Sequence, residues 1–171
     1  DKSIPDLVHH RRHVNPRWVS AVANMTKPTI AAVNGYCLAG GFELLLQCDM
    51  AIASDKSVFG MPEVGLGFIP AAGACQRLPR IVGPGKAKEL ILTARRFDAA
   101  EALSLGLVMK VVSPADVMPE CMKIARQIAK HPPVAVVQAK LAINTSQETL
   151  LSGGLKFESE AWMGCLLSEK W

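Results

Sequence analysis

A chain of 171 residues, half of them hydrophobic and one fifth charged, is about one domain long and is not a disordered tail. Its apolar stretches are broken by Gly, Asn, Glu or Asp within about ten residues, short of the ~18 that a membrane-spanning helix needs. The net charge is only +4, and blocks of like charge never exceed two residues, so the basic excess reads as an ordinary solvated surface that tolerates an anionic small ligand.

Residues 5–25 read as one or two helices broken near Asn15-Pro16, with Trp18, Val19, Val22 and Met25 at helical spacing. TIAAV (29–33) has the composition of a buried strand and ends at the turn signal Asn34-Gly35. GGFELLLQC predicts a helix opened by glycine, MAIAS (50–54) a second buried strand, and VFG a short third one. MPEVGLGFIPAAG reads as a long loop. Helices are expected near 72–80 and 84–93, and from an Asp98 N-cap to Leu105, with a last strand at VMKVV (108–112). SPADVMPECMKIARQIAK, PVAVVQAKLAINTS and the segment from Thr149 onward read as three further helices. The whole is one α/β domain, without repeat or linker.

The opening residues lack the apolar core of a secretory signal. The chain starts without Met, in what reads as mid-helix, which predicts a preceding N-terminal portion. Five scattered cysteines, an odd number with no C-x-x-C pair, favour reduced thiols in a cytoplasmic or mitochondrial-matrix compartment.

Chemistry concentrates at two acids. Gly40 and Gly41 open a helix whose first N–H groups favour developing negative charge, and no Cβ keeps a ligand from the backbone there. On spacing alone, a glycine pair that merely packs helix on strand is the simpler reading. Glu43 follows one turn inside. Glu63 is the only charged residue between Lys56 and Arg77, and a lone carboxylate in an apolar, glycine-rich loop is costly unless paired or functional. Two carboxylates in one desolvated site titrate as a coupled pair, the arrangement that acid–base work around a water requires. Other chemistries find little support. His9 and His13 have the spacing of a metal pair but no third ligand, so no metal site is expected. There is no nucleophile elbow, and GPGKAK lacks the phosphate-loop pattern.

KPTIAAVNGYCLAGGFELLLQCDMAIAS (27–54), FGMPEVGLGFIPAAGACQRLPRIVG (59–83) and TARRFDAAEALSLGLVMKVV (93–112) resemble, in order and spacing, the crotonase superfamily of enoyl-CoA hydratases and isomerases. PPVAVVQAKLAIN (132–144) continues the likeness more loosely. The resemblance implies a partial crotonase-like spiral of β-β-α units over 1–112, followed by a helical region over 113–171. It implies a 2-enoyl-CoA hydratase in which the Gly40 amide helps hold the thioester oxygen, Glu43 assists water attack on C3, and Glu63 exchanges the proton at C2. Gly41, Pro62 and Ala71 are the implied substrate-side residues, with backbone near Ala71 helping to hold the water.

The same likeness implies no cofactor beyond the coenzyme A carried by the substrate, and a homotrimer or hexamer. A Δ3,Δ2-enoyl-CoA isomerase or another enolate-forming enzyme is the alternative. RNA binding is weakly supported, because aromatics are 5% of the chain and no basic–aromatic pattern appears; a non-catalytic subunit is a third reading. Two departures stand out: Ala39 occupies a position where glycine is common, and AAGACQR replaces the usual GAGGTQR.

Overall fold

The computed structural model describes residues 3, 5, 6 and 16–168, with backbone alone over 16–19. The chain forms two compact units. One joins the residues up to Met25 to Thr29–Cys121; the other joins Thr26–Pro28 to the chain from Met122 onward.

In the first unit, α1 (Pro16–Ala23) precedes β1 (Ile30–Val33) and β2 (Tyr36–Leu38), and α2 (Gly40–Leu45) follows. The pattern then repeats with β3 (Met50–Ser54) and β4 (Val58–Gly60). β1 pairs in parallel with β3, Ile30 opposite Met50, while β2 pairs in parallel with β4, Tyr36 opposite Val58. Each two-strand rung therefore lies one turn of a spiral from the next, with its first strand in one sheet and its second in another. This is the β-β-α spiral that the resemblance implies.

Side-chain clasps hold the corners. Asp49 Oδ2 accepts from the N–H and the hydroxyl of Thr29 at 2.6 and 2.9 Å. The buried Ser57 hydroxyl donates to Val33 O at 3.0 Å. The Ser57 bond satisfies a carbonyl in a buried setting.

A 3-10 turn (Glu63–Leu66) leads to α3 (Ala74–Val82) and α4 (Pro84–Leu92). β5 (Arg96–Asp98) then adds antiparallel to β4, and α5 (Ala99–Ser104) begins at once, its Asp98 N-cap accepting from Glu101 N–H at 2.8 Å. β6 (Lys110–Val112) completes the first sheet in the order β1-β3-β6. The core is centred on Phe42 of α2, Phe59 of β4 and Phe97 of β5, with ring centroids 5.5–5.9 Å apart. Arg95 lies over the Phe97 ring and ion-pairs with both Glu89 and Glu101, which fastens α4 to α5.

α6 (Val117–Ile128) carries the chain into the second unit, where α7 (Pro133–Thr145) and α8 (Leu151–Leu166) pack along each other. The buried Lys140 ammonium donates to Lys27 O at 3.1 Å and ties α7 to the Thr26–Pro28 segment.

Several expectations need correction. Strands β2 and β5 were not predicted, being three residues each and too short to show alternation. The supposed loop at 61–73 contains the 3-10 turn, and α3 starts at Ala74 rather than near 72. Most of the first predicted helix, including His9 and His13, lies outside the described residues.

Candidate active site

Phe42 is fully buried in the aromatic cluster, and this orients the short helix α2. The next residue, Glu43, is thereby turned inward and is only 5% exposed. Its carboxylate reaches the loop before α3: Oε1 accepts from Ala72 N–H at 2.5 Å and from Ala74 N–H at 3.2 Å. Charge-assisted bonds of this kind hold a carboxylate oxygen in one place. Gly73, with φ of +115°, bends the loop so that both amides converge on that oxygen.

Glu63 opens the 3-10 turn and is 4% exposed, yet its Oε2 is buried with no hydrogen-bond partner among the described residues. Burial pushes its carboxyl above the ordinary range; a backbone hydrogen bond opposes the rise, and the negative charge of Glu43 adds to it. That last effect places the two acids in electrostatic reach of each other. The Cys75 thiol is raised by burial and then by the charges of Glu43 and Glu63, so it borders the same pair. Its Sγ donates to Pro70 O at 3.4 Å.

The other expected residues fall around this pair. Gly40 and Gly41 are the first two residues of α2, and a Cβ built on either meets no atom within 4 Å. The space above them is open, so packing among the described residues does not require glycine at either position. Pro62 immediately precedes the 3-10 turn and is half-buried. Ala71 is exposed, and the amides that reach Glu43 belong to Ala72 and Ala74 beyond it.

Ala39, ahead of α2, has φ of +50° and ψ of −126°, a conformation that glycine adopts freely and alanine does not. The unusual residue noted in the sequence is thus a strained one. Two participants went unrecognised in the sequence: Cys75, and Gln47, whose Nε2 donates to Ala72 O at 2.9 Å. The available signal for Gln47 was its place as the first polar residue after Leu44-Leu45-Leu46, four positions beyond Glu43.

A cavity of about 480 Å³ runs along β1 and past Tyr36, Gly41 and Leu44, and neither acid lines it. Among the described residues, no group of three His, Cys, Asp or Glu side chains could hold a metal, and no helix is long and apolar enough to cross a membrane.

Residues 9–166 match the family model for enoyl-CoA hydratase/isomerase. The chain is 49% identical over 145 residues to a short-chain-enoyl-CoA hydratase of Clostridium acetobutylicum, covering 85% of this chain and 56% of that protein. It is 46% identical over 145 residues to a crotonyl-CoA hydratase of Syntrophomonas wolfei, with the same coverage of each. The crystal structure of an enoyl-CoA hydratase from Bacillus anthracis superposes with a TM-score of 0.93 at 39% identity, over 98% of this chain and 65% of that one. The chain therefore spans little more than half the length of these curated relatives.

Proposed function

Because the chain belongs to the enoyl-CoA hydratase/isomerase family, we propose that the protein containing it adds water reversibly across the C2=C3 double bond of a 2-enoyl-CoA, with Glu43 and Glu63 as the acid–base pair. The observation that carries this reading is the contrast within one buried pair. Glu43 has an oxygen pinned by two amides, whereas Glu63 has an oxygen without a partner and a raised proton affinity.

In the proposed step, Glu43 accepts a proton from water as the water oxygen bonds to C3. The C2=C3 electron pair moves toward the thioester, whose oxygen gains negative charge beside the Gly40 amide at the start of α2. Glu63, whose burial favours the protonated form, gives its proton to C2 as the enolate collapses. Transfer of the proton from Glu43 back to Glu63 through solvent resets the pair. One oxyanion donor of this kind is typically worth about 3–4 kcal/mol of barrier, and general acid–base groups contribute ~10²–10⁴-fold each. Gly41, Pro62 and Ala71 would border the acyl-CoA. The chemistry requires no metal or redox cofactor, because the thioester itself acidifies C2.

Assembly as a trimer or hexamer in a cytosolic or matrix compartment completes the proposal, supported by the large apolar side chains that α8 exposes, Leu155, Trp162 and Met163. The partnerless oxygen of Glu63 also fits a second reading, an isomerase in which that acid alone shuttles a proton. The test follows loss of the conjugated thioester absorbance of crotonyl-CoA with the full-length protein. Turnover abolished by Glu43→Gln supports hydration, whereas turnover of a 3-enoyl-CoA that survives this change supports isomerisation.

A further inference from the structure

We propose that Gln47 is a positioning residue for the acid pair, its side-chain amide clamping Ala72 so that the N–H groups of Ala72 and Ala74 stay aimed at Glu43. The inference rests on the acid–base reading of Glu43 given above.

Glu43 and Gln47 are four positions apart, on one face of α2 and the turn that follows it. Both are 5% exposed. They grip the two polar ends of a single residue: Glu43 Oε1 accepts from Ala72 N–H at 2.5 Å, and Gln47 Nε2 donates to Ala72 O at 2.9 Å. One bond alone would let the flanking peptides rock about it; the second fixes their rotation. The loop is also shaped to the glutamine. A Cβ on Gly73 would come within 2.9 Å of Gln47 Nε2 and would push that amide aside, and the φ of +115° at Gly73 further favours glycine where the chain returns the Ala74 N–H to the same carboxylate oxygen.

Gln47 is a costly choice for a core position. Its Oε1 is buried without a hydrogen-bond partner among the described residues, and an apolar side chain of equal volume would avoid that penalty. The single bond to Ala72 O is what an apolar residue could not supply. Gln47 acts through the loop on Glu43, so its removal slows the chemical step and leaves substrate binding largely intact.

The full-length protein is compared with Gln47→Met, which keeps the volume and deletes the donor, and with Gln47→Leu should the methionine variant not fold. Leu46→Ala, at a neighbouring site that is also 5% exposed, serves as the stability control. Hydration of crotonyl-CoA gives kcat and KM, and amide hydrogen exchange is followed over residues 70–76. The Gln47 variant should lose about tenfold in kcat with KM within about twofold, and exchange at Ala72 and Ala74 should accelerate by about tenfold, as for one lost hydrogen bond. Leu46→Ala should lower the melting temperature without moving either readout. Wild-type kcat and wild-type exchange in the Gln47 variant, or equal effects from Leu46→Ala, would overturn the proposal. If the parent protein does not hydrate crotonyl-CoA, the hydratase reading fails by itself and exchange decides the clamp: faster exchange in the variant upholds it, unchanged exchange overturns it.

Discussion

Glu43 follows Phe42, which a three-ring aromatic cluster locks within the same helix, and one of the Glu43 oxygens is held by two backbone amides. Glu63 begins a single 3-10 turn, equally buried, with an oxygen that no donor reaches among the described residues. The two carboxyls have similar burial and opposite support. Donors stabilise a carboxylate as the anion, whereas burial without donors favours the protonated acid. The fold thus gives two residues of one type, at similar burial, different hydrogen-bond support.

The most severe way to break this contrast is Glu43→Gln, which keeps the side-chain size and an acceptor oxygen but cannot take a proton. Hydration should fall ~10²–10⁴-fold with the fold intact, as read by crotonyl-CoA turnover and circular dichroism.

Glu63→Gln should cost activity on the same scale and yet raise stability at neutral pH. The carboxyl is raised above its ordinary 4.5, so as pH climbs from there through the raised value the unfolded chain loses its proton before the folded protein does. The wild type therefore loses stability across that window. Melting temperatures should show the Gln variant above the wild type at pH 7, with the gap closing toward pH 4.

Cys75 offers a milder probe of the shared field. Burial and the two carboxylates hold its thiol above the ordinary 9.0, so iodoacetamide should react slowly at neutral pH. Removing either charge, by Glu43→Gln or Glu63→Gln, should speed alkylation several-fold. Unchanged rates in both variants would mean that the thiol does not feel the pair.

The smallest effect concerns the entry to α2. Ala39→Gly should relieve the positive φ and stabilise the fold by about 1 kcal/mol, net of the greater freedom of glycine in the unfolded chain. A thermal melt checks it; a destabilised variant would show that the Ala39 methyl contributes packing that outweighs the strain.

Much of this was legible in the linear order. TIAAV and MAIAS announced buried strands by composition, and Asp98 announced a cap. The isolation of Glu63 in an apolar loop marked it as paired or functional, and it is buried. What escaped detection was short or non-local. β2 and β5 carry three residues each, and their strand identity comes from pairing with β4 rather than from any pattern of their own. Gln47 sits in an apolar run, and its only described side-chain hydrogen bond reaches 25 positions along the chain.

The amino-acid order by itself determined the alternation of strands and helices, the cap at Asp98 and the isolation of Glu63 in an apolar loop, because propensity, capping and the cost of an isolated charge all act over a few neighbouring residues. Tertiary structure alone decided which acid would have an oxygen held by two amides and which would keep a buried oxygen without a partner among the described residues. That outcome depends on the distance between α2 and a loop some thirty residues later, and on a glycine turn that aims two amides at one oxygen. Hydrogen-bond strength falls steeply with distance and angle, so the difference between the two carboxyls is set by packing and not by the residues' own chemistry.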